Sequence, residues 1–402
     1  MDHIAVIGAG QAGASVVETL RKEGYDGRLT LWGEEPELPY QRPPLSKAYL
    51  LGEMARERLH LRPAAFYEEN RVELHLGTRI DAIDPDARTL THAGGTEGWD
   101  ALVLATGSAP RRLPGAVGGD LDGVFAVRTL ADIDALAPHI REDGHLLVVG
   151  GGYIGLEAAA VARNRGMRVT LLEAAPRLLS RVSCRDTATW FADKHRAMGV
   201  DIREAATLER LTGDGHVTGA TLSDGTKLSV DAVVAGIGIV PSTTLAEAAG
   251  LTLADGIAVD AQGRTSADGI WAAGDCCSFP HRGGRVRLES VPHAIHQAET
   301  VARNLLGAAE DYVAKPWFWS DQYDVKLQIA GLNTGFDRVI VRDGSDIEGG
   351  RSHWYFAGDR LLAVDAMNDP RAYMVGKRLI EAGRSPDPDA VADRAVPIKS
   401  LM

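Results

Sequence analysis

Three glycines near the N-terminus, Gly8, Gly10 and Gly13, form a G-x-G-x-x-G triplet directly after the apolar run IAVI. In such a triplet Gly8 permits a tight turn, Gly10 lets the backbone approach a pyrophosphate, and Gly13 permits close packing of a helix on a strand. The helix N-terminus favours negative charge. Glu34 follows Gly8 by 26 residues and supplies a carboxylate that can accept hydrogen bonds from ribose hydroxyls. A glycine turn without a ligand is the alternative, but this combination favours a bound dinucleotide.

A second triplet, Gly150, Gly152 and Gly155, repeats the pattern, and Glu173 closes the strand that follows it. Two dinucleotide folds in one chain indicate two ligands, which we interpret as one flavin nucleotide and one nicotinamide nucleotide. Glu173 would hydrogen-bond a 2′-hydroxyl and repel a 2′-phosphate, which favours NADH over NADPH. Arg177, four residues later, could soften that preference.

The elements that must position these triplets also occur twice. Residues 4–34 and 146–173 each contain an apolar strand, a glycine turn, an Ala-rich amphipathic helix and a second strand ending in Glu. That order is typical of a βαβ unit. The repeat distance of about 140 residues exceeds the ~20–50 residues of solenoid repeats. The repeat therefore predicts two separate domains of similar fold.

Other segments supply the remaining elements of these two domains. Buried-type strands in 99–115 and 228–242 each break at Gly and Pro, and we place the crossings between the domains there. A proline-rich loop lies at 38–50, a short strand in 265–275, and a helix with one apolar face at 291–307.

The pattern changes from Lys315 onward. The segments WFWSDQYDVKLQIAGL, DRVIVRDG and HWYFAGDRLLAVDAM alternate and are rich in aromatic and branched residues, which predicts antiparallel strands. A short helix near 371–383 follows. The predicted fold class is α/β, with two Rossmann-like dinucleotide-binding domains and a C-terminal α+β domain. The predicted domains are residues 1–110 with 238–314 for FAD, 111–237 for NAD, and 315–402 for the C-terminal domain.

Composition limits the partners and the compartment. The net charge of −12 over 402 residues disfavours nucleic acid and anionic membranes as partners. The three cysteines, Cys184, Cys276 and Cys277, form no C-x-x-C pair, which suits a reducing compartment. We find neither a signal peptide nor an apolar run of ~18 residues. We therefore expect a cytoplasmic protein.

Eight segments carry a family resemblance: GAGQAG, LPYQRPPLSKAYL, ATGSAPRRLPG, VVGGGYIGLE, AGIGIVPS, TSADGIWAAGD, ESVPHAIHQA and PWFWSDQY, in this order. Together they resemble the FAD-dependent ferredoxin reductases of the putidaredoxin reductase type, in the superfamily of glutathione reductase and apoptosis-inducing factor. The resemblance covers nearly the whole chain. The glycine loops are widely shared, whereas RPPLSK and PWFWSDQY in one chain are far more specific. A glutathione reductase-like arrangement of the domains is implied.

The resemblance also implies which residues contact the cofactors. Lys47 would lie beside the flavin, and Trp319 near the flavin on the side where an iron–sulfur partner docks. Glu289 would reach toward the nicotinamide. The implied FAD contacts are Gly8, Gly10, Ala12, Gly13, Glu34, Arg42, Lys47, Ile80, Ala105, Thr106, Gly107, Arg128, Gly274, Asp275, Val291 and Trp319. The implied NADH contacts are Gly150, Gly152, Tyr153, Ile154, Gly155, Glu157, Glu173 and Gly238.

The activity implied is that of an NADH:ferredoxin oxidoreductase. Electrons would pass from NADH through FAD to a 2Fe-2S ferredoxin, which supplies a heme-thiolate monooxygenase or a dioxygenase. Lys47 and Glu289 would form the flavin and nicotinamide environment, and no nucleophile or metal is needed. Such ferredoxins are usually acidic, so an acidic reductase needs a local basic face. Arg56, Arg58 and Arg62 are the candidates.

Two other functions fit the same architecture. One is a rubredoxin reductase or an NADH oxidase, although such oxidases carry a cysteine near residues 40–50 and this chain has none there. The other is a non-enzymatic flavoprotein like apoptosis-inducing factor. A short C-terminal domain and an acidic chain argue against it.

Several of these side chains have a simpler interpretation. Lys47 could be a solvated loop cation, Asp275 an Asx-turn residue and Glu157 a surface residue. For Trp317 and Phe318 we favour the core of the C-terminal domain, and for Trp319 both interpretations stay open.

The cysteines and histidines predict little chemistry. The C-x-x-x-x-C pair of the glutathione reductase relatives is missing from QRPPLSKAYL, which argues against disulfide substrates. We therefore predict that Cys276 and Cys277 are unreactive residues that pack in the interior. His293 and His296 could share a metal, but no third ligand is evident.

Overall fold

The chain divides into two compact units in a computed structural model that describes residues 1–344 and 349–402. The first unit comprises residues 1–41, 56–109 and 240–316, and the second comprises residues 42–55, 110–239 and 317–402. The second glycine loop and the C-terminal residues thus fall in one unit. The division into three domains, with the boundaries predicted above, stays a prediction.

The strands in the described ranges are short, and most follow one another closely. In chain order they are β1 (His3–Ile7), β2 (Arg28–Trp32), β3 (Val72–His75), β4 (Ile80–Asp84), β5 (Thr89–His92), β6 (Gly95–Gly98), β7 (Ala101–Leu104), β8 (Ser108–Pro110), β9 (Val124–Phe125), β10 (His145–Val149), β11 (Arg168–Glu173), β12 (Val200–Glu204), β13 (Leu208–Asp214), β14 (His216–Leu222), β15 (Lys227–Ser229), β16 (Ala232–Ala235), β17 (Ile239–Pro241), β18 (Ile257–Ala258), β19 (Ile270–Ala272), β20 (Cys277–His281), β21 (Gly284–Val286), β22 (Trp317–Gln322), β23 (Val325–Gly331), β24 (Arg338–Asp343), β25 (Arg351–Ala357) and β26 (Arg360–Met367).

The helices alternate with the strands in the two βαβ parts of the chain. They are α1 (Gln11–Lys22), α2 (Ala64–Glu69), α3 (Leu130–Leu136), α4 (Tyr153–Asn164), α5 (Arg185–Ala197), α6 (Thr244–Ala248), α7 (Val291–Leu305), α8 (Pro370–Glu381) and α9 (Pro388–Ala392). Within the described ranges, none of them combines the length and the apolar character that crossing a membrane requires.

The first unit is built on a parallel sheet with the order β19-β7-β1-β2-β3. Strand β1 is central, with Ile4 opposite Leu29 on β2 and opposite Ala101 on β7. Every residue of β1 and β7 is buried, because helices cover a parallel sheet on both faces. Residues of α1 and α7, including Val16 and Val301, contribute to the same core as the strands.

The second unit repeats this arrangement and adds an antiparallel sheet. Its parallel sheet has the order β12-β11-β10-β16-β9 and carries the second glycine loop. The antiparallel sheet has the order β22-β23-β26-β25-β24. Asp369 caps α8 by accepting a hydrogen bond from the Ala372 N–H, and Pro370 occupies the first turn.

The predicted fold class is confirmed. The βαβ units, the aromatic-rich antiparallel strands and the helix near 371–383 are all present. The proline-rich segment 38–50 contains a single 3-10 turn at Pro43–Ser46. The small sheets β4-β5-β6 and β13-β14-β15 had no counterpart in the sequence analysis, because their strands are polar and expose many residues.

Candidate functional site

The first glycine loop has the geometry that its spacing predicts. Gly8 adopts a φ of +117°, and a Cβ there would lie 2.1 Å from the Ala105 carbonyl oxygen. A Cβ on Gly13 would lie 1.9 Å from the carbonyl oxygen of Gly8. Both positions therefore require glycine, one for the turn and one for the close packing of α1 on β1.

Gly10 and Gly152 stand out because neither φ nor packing demands a glycine there. Each precedes a helix at an ordinary negative φ, −97° and −82° respectively, without a side-chain cap. A Cβ on either residue would meet nothing within 4 Å. The open space above uncapped helix N–H groups fits a pyrophosphate in both loops.

Further predicted FAD residues lie close to the first loop. Gly274 has a φ of +85°, and a Cβ there would come within 3.0 Å of the Ala12 Cβ. The Gly274 N–H donates to Oε1 of the buried Gln297 at 2.8 Å. Asp275 accepts a hydrogen bond from the Ser108 hydroxyl at 3.0 Å. The structure thus gathers Ala12, Gly274 and Asp275 around the N-terminal end of α1.

The segment after β7 is fixed by hydrogen bonds to its neighbour, Ser242. The Thr106 hydroxyl donates to the Ser242 carbonyl oxygen at 2.7 Å, and the Ser242 N–H donates to the Gly107 carbonyl oxygen at 2.9 Å. Ala105 lies directly against Gly8. Val291 begins α7, behind the cap residue Ser290.

The prediction that Glu34 ends the second strand is wrong, because β2 stops at Trp32. Glu34 lies two residues beyond it and points toward solvent. Its side chain is 71% exposed, and Arg79 lies 3.4 Å away. Ile80, the neighbour of Arg79, is buried at the start of β4. The adjacent Glu35 is half-buried and accepts a hydrogen bond from the Tyr40 hydroxyl at 2.6 Å. The first unit therefore offers two carboxylates at this point, of which Glu34 was predicted from the sequence and Glu35 was not.

The second glycine loop matches the first. Gly150 has a φ of +109°, and a Cβ on Gly155 would lie 2.0 Å from the Gly150 carbonyl oxygen. Glu173 ends β11 as predicted. Its carboxylate accepts hydrogen bonds from the Gly151 N–H at 2.8 Å and the Ala175 N–H at 2.7 Å. The acid is thus fixed at the edge of the glycine loop.

Arg177 points into its own loop. Its guanidinium donates to carbonyl oxygens between positions 178 and 184, the shortest being that of Ser183 at 2.8 Å. These bonds use the Nη1 and Nη2 hydrogens that a 2′-phosphate would need. Arg177 therefore organises the loop after β11.

The residues that follow Gly152 present an aromatic and an aliphatic side chain. The Tyr153 ring packs against Phe318 at 4.9 Å, and its buried hydroxyl has no hydrogen-bond partner in the described ranges. Burial raises the pKa of Tyr153 well above its ordinary value. Ile154 is 41% exposed. Gly238 has a φ of +99°.

Lys47 forms an ion pair with Glu157 on α4. The Lys47 Nζ lies 2.8 Å from Glu157 Oε2, and the Glu157 side chain is only 2% exposed. Ser46 donates to Oε2 and Ser320 donates to Oε1, each at 2.5 Å. The interpretations of Lys47 as a solvated cation and of Glu157 as a surface residue are therefore wrong.

Strand β22 presents its two faces to different neighbours. Ser320 and Phe318 face α4, where they contact Glu157 and Tyr153. Because side chains alternate along a strand, Trp319 lies on the opposite face. It is half-buried and its ring lies 5.5 Å from that of Trp317, which packs against the C-terminal core.

Arg42 and Arg128 lie next to each other in the second unit. The Arg42 guanidinium donates to the Arg128 carbonyl oxygen at 2.7 Å. Glu289 belongs to the first unit, where its 38% exposed side chain pairs with Arg287 at 2.5 Å.

The three arginines proposed as a basic face lie in the first unit. Arg56 pairs with Glu37, and Arg62 pairs with Glu18 at 2.5 Å. Arg58 is exposed. Acidic neighbours therefore offset part of the positive charge predicted there.

The three cysteines are buried, whereas the two histidines of α7 differ in exposure. Cys184, Cys276 and Cys277 are free and buried. His293 is buried against Phe279, whereas His296 is exposed. Within the described ranges no group of three or more His, Cys, Asp or Glu side chains could hold a metal ion.

Three polar residues of these sites were not identified from the sequence: Ser46, Ser320 and Gln297. Each is buried. Gln297 could have been noticed as an amide on the apolar face of the predicted helix 291–307. The two serines carry no local signal, because their partner lies more than a hundred residues away along the chain.

Comparison with known proteins agrees with this geometry. Residues 2–298 match the Pyridine nucleotide-disulphide oxidoreductase family, and residues 317–402 match the family described as Reductase C-terminal. The chain is 42% identical over 405 residues to a ferredoxin–NAD(P)(+) reductase of Sphingomonas sp., covering 99% of this chain and 97% of that protein.

Two further proteins are similar to this chain over almost its whole length. The chain is 37% identical over 373 residues to a rubredoxin–NAD(+) reductase of Pseudomonas putida, covering 92% of this chain and 96% of that protein. The reductase in a covalent putidaredoxin reductase–putidaredoxin complex superimposes with a TM-score of 0.96. It is 39% identical, and the match covers 100% of this chain and 98% of that one.

The expected cofactors, FAD and NAD(H), are those of this family, and the open spaces above Gly10 and Gly152 fit their pyrophosphates. The chain therefore belongs to the pyridine nucleotide-disulphide oxidoreductase family, as an oxidoreductase of the putidaredoxin reductase type.

Proposed function

We propose that the chain transfers electrons from NADH through FAD to a 2Fe-2S ferredoxin that supplies a heme-thiolate monooxygenase or a dioxygenase. The pair of glycine loops, each with open space at its helix N-terminus, carries the two cofactors, and the similarity to a ferredoxin–NAD(P)(+) reductase supports ferredoxin as the acceptor. The reaction balances when one NADH reduces two ferredoxins, since NAD⁺ and one proton are then released. FAD supplies the step between a hydride and single electrons, which protein side chains cannot perform.

The chain contributes binding and electrostatics. In the first unit, Gly8, Gly10 and Gly13 would hold the pyrophosphate of FAD, and Asp275 would accept a hydrogen bond from a hydroxyl of its ribityl chain. The remaining assignments, including Arg42, Lys47, Arg128 and Trp319, rest on the family resemblance. The ammonium of Lys47 would stabilise negative charge that develops on the flavin.

The second glycine loop would bind NADH. Glu173 is the residue that selects it, because its carboxylate lies beside Gly151 and would repel a 2′-phosphate. Arg177 supports this choice, since its Nη hydrogens bind the loop carbonyls.

The direct test is stopped-flow reduction of the purified FAD-bound protein. We expect rapid bleaching of the flavin by NADH and much slower bleaching by NADPH. Cytochrome c reduction should then depend on added ferredoxin. A colourless protein that takes up no FAD on reconstitution would rule the proposal out.

Rubredoxin is the second candidate acceptor, because a relative of this chain is named for it. The same assay distinguishes the two carriers. Reduction of rubredoxin at a higher kcat/KM than any 2Fe-2S ferredoxin would overturn the ferredoxin assignment.

Electrostatic steering would bring an acidic ferredoxin to Arg58 and its neighbours Arg56 and Arg62. We expect the KM for ferredoxin to rise with salt, and Arg58→Glu to raise it further without changing flavin reduction by NADH. A rate that stays flat from low to high salt would contradict this docking site. The cytoplasmic location inferred from composition likewise stays a prediction.

A further inference from the structure

A chain of hydrogen bonds leads away from Glu157 along strand β22. The hydroxyl of Ser320 donates to Glu157 Oε1 at 2.5 Å. The amide nitrogen of Gln322 lies 3.2 Å from the Ser320 oxygen. Ser320 and Gln322 lie two residues apart on the strand, so both side chains point to the same face, and both are buried.

This chain of hydrogen bonds continues into helix α5. The Gln322 Oε1 lies 2.8 Å from His195 Nε2, and His195 Nδ1 lies 3.1 Å from the Tyr323 hydroxyl. His195 is fully buried, whereas Tyr323 is half-buried. Three side chains, those of Ser320, Gln322 and His195, therefore connect Glu157 to a tyrosine that reaches the surface, and all five residues belong to the second unit.

The carboxylate of Glu157 determines the direction of every bond in this chain. A carboxylate only accepts, so Ser320 must donate to it, and the Ser320 oxygen must then accept from the Gln322 NH₂. The Gln322 carbonyl oxygen is left facing His195, so Nε2 carries the proton. His195 Nδ1 is then an acceptor for the Tyr323 hydroxyl.

The state of His195 agrees with this order. Burial lowers the pKa of His195 to about 4, so the ring is neutral at neutral pH. A neutral imidazole has one donor and one acceptor nitrogen, which is what the two neighbours require.

We propose that Ser320, Gln322 and His195 are positioning residues, whose donors all point toward Glu157 and hold it as a carboxylate beside Lys47. A serine hydroxyl alone can rotate away from its acceptor. Gln322 removes that freedom by donating to the same oxygen. Bonds of a buried chain polarise one another, so the last donor at Glu157 is stronger than an isolated hydroxyl. The link from Glu157 to the flavin rests on the proposed function.

The first test measures the far end of the chain. In the FAD-bound protein with ¹⁵N-labelled histidine, the His195 signal is assigned by its loss in His195→Asn. We expect the Nε2–H tautomer in the wild type. Glu157→Gln provides an amide that can donate to Ser320, which frees Ser320 and Gln322 to turn, so the Nδ1–H tautomer should gain population.

A matched control separates this effect from general disturbance. Asp365→Asn also replaces a buried carboxylate by an amide. The Asp365 carboxylate accepts hydrogen bonds from hydroxyl groups in the same unit, but it is not part of the chain of hydrogen bonds that ends at Glu157. This substitution should leave the His195 signal unchanged. Identical His195 signals in the wild type and Glu157→Gln would overturn the proposal, as would an equal change in Asp365→Asn.

The second test measures the effect at Glu157 and Lys47 through the redox potential of the bound flavin. Gln322→Leu removes the amide that donates to Ser320, which weakens the hydrogen bond from Ser320 to Glu157. The Glu157 carboxylate then interacts more strongly with Lys47, so the positive charge of Lys47 stabilises the reduced flavin less. We expect reduction of the bound flavin to become about tenfold less favourable, which lowers the two-electron potential by about 30 mV. Ser320→Ala should change the potential in the same direction, and it serves if Gln322→Leu does not fold.

The two tests address separate parts of the proposal, so each part can be contradicted without the other. An unchanged potential in both variants would overturn the link to the flavin, even if the tautomer responds. A protein that binds no FAD contradicts the proposed function, whereas the tautomer measurement on that protein still decides whether the hydrogen-bond chain exists.

Discussion

The Nζ atom of Lys47 lies 2.8 Å from Oε2 of Glu157, within a pair of side chains that are only 18% and 2% exposed. Burying a carboxylate away from water costs free energy, and an ammonium group at this distance offsets much of that cost. Two serine hydroxyls at 2.5 Å complete the set of donors. The pair is therefore a unit whose members depend on each other.

Breaking the pair from the lysine side should destabilise the protein. Lys47→Met leaves the Glu157 carboxylate buried with two neutral donors, and we expect a loss of about 2–3 kcal/mol in the free energy of unfolding. The double variant Lys47→Met/Glu157→Gln should recover most of that loss. Urea unfolding of the FAD-bound proteins measures the coupling.

An exposed ion pair provides the control for that cycle. Arg141 and Asp231 have side chains that are 66% and 41% exposed, so Arg141→Met should change the urea midpoint little. Additive losses from the two substitutions at Lys47 and Glu157 would mean that the buried pair is not coupled.

Nucleotide preference should depend on Glu173. Glu173→Gln keeps the size of the side chain and removes the charge that would oppose a 2′-phosphate. The ratio of kcat/KM for NADH to that for NADPH should fall at least tenfold, equivalent to about 1.4 kcal/mol. An unchanged ratio would exclude this role.

Arg177 should act on stability and leave preference unchanged. A lysine at this position cannot reproduce the planar fork that binds several loop carbonyls. Arg177→Lys should therefore lower the melting temperature while the NADH to NADPH ratio stays constant. A change of the ratio without a change of melting temperature would indicate that the guanidinium binds the nucleotide.

Asp365 should make stability depend on pH. Burial raises the pKa of its carboxyl from 3.8 to about 6. Hydrogen bonds from Tyr355 and Thr187 lower this pKa, but the effect of burial is larger. Between these two values the unfolded chain releases the proton and the folded protein keeps it, so the free energy of unfolding falls as pH rises from about 4 to about 6.

The Asp365→Asn variant lacks this titration. The stability of the wild type relative to Asp365→Asn should therefore decrease by roughly 1 kcal/mol between about pH 5 and about pH 7.5. Urea midpoints of both proteins at several pH values provide the measurement. A difference that stays constant with pH would show that the carboxyl does not titrate in this range.

The three thiols should be inaccessible in the native state. Cys184 is 2% exposed, and Cys276 and Cys277 are fully buried. Burial also raises the pKa of Cys277 well above its usual value, which suppresses the thiolate of that residue. A thiol reagent such as Ellman's should thus detect no thiol in the folded protein and three after denaturation. Rapid reaction of one thiol in the native protein would contradict the structure.

The sequence by itself determined the features that depend on local backbone geometry. Glycine triplets after apolar strands predicted both loops, and the positive φ of Gly8 and Gly150 is the physical reason that no other residue suits those turns. Alternation of aromatic and branched residues predicted the antiparallel strands, since side chains on a strand repeat every two residues. The identity of the cofactors followed from the two loops and the resemblance.

Tertiary structure alone decided how the polar side chains pair. The contacts of Glu157 with Ser46 and Ser320 join residues 111 and 163 positions apart, and no local pattern encodes such a distance. The same holds for Arg177, whose sequence position suits a phosphate but whose Nη hydrogens bind the loop carbonyls. Periodicity reports which face of an element is buried, whereas hydrogen-bond partners depend on how distant segments are packed together.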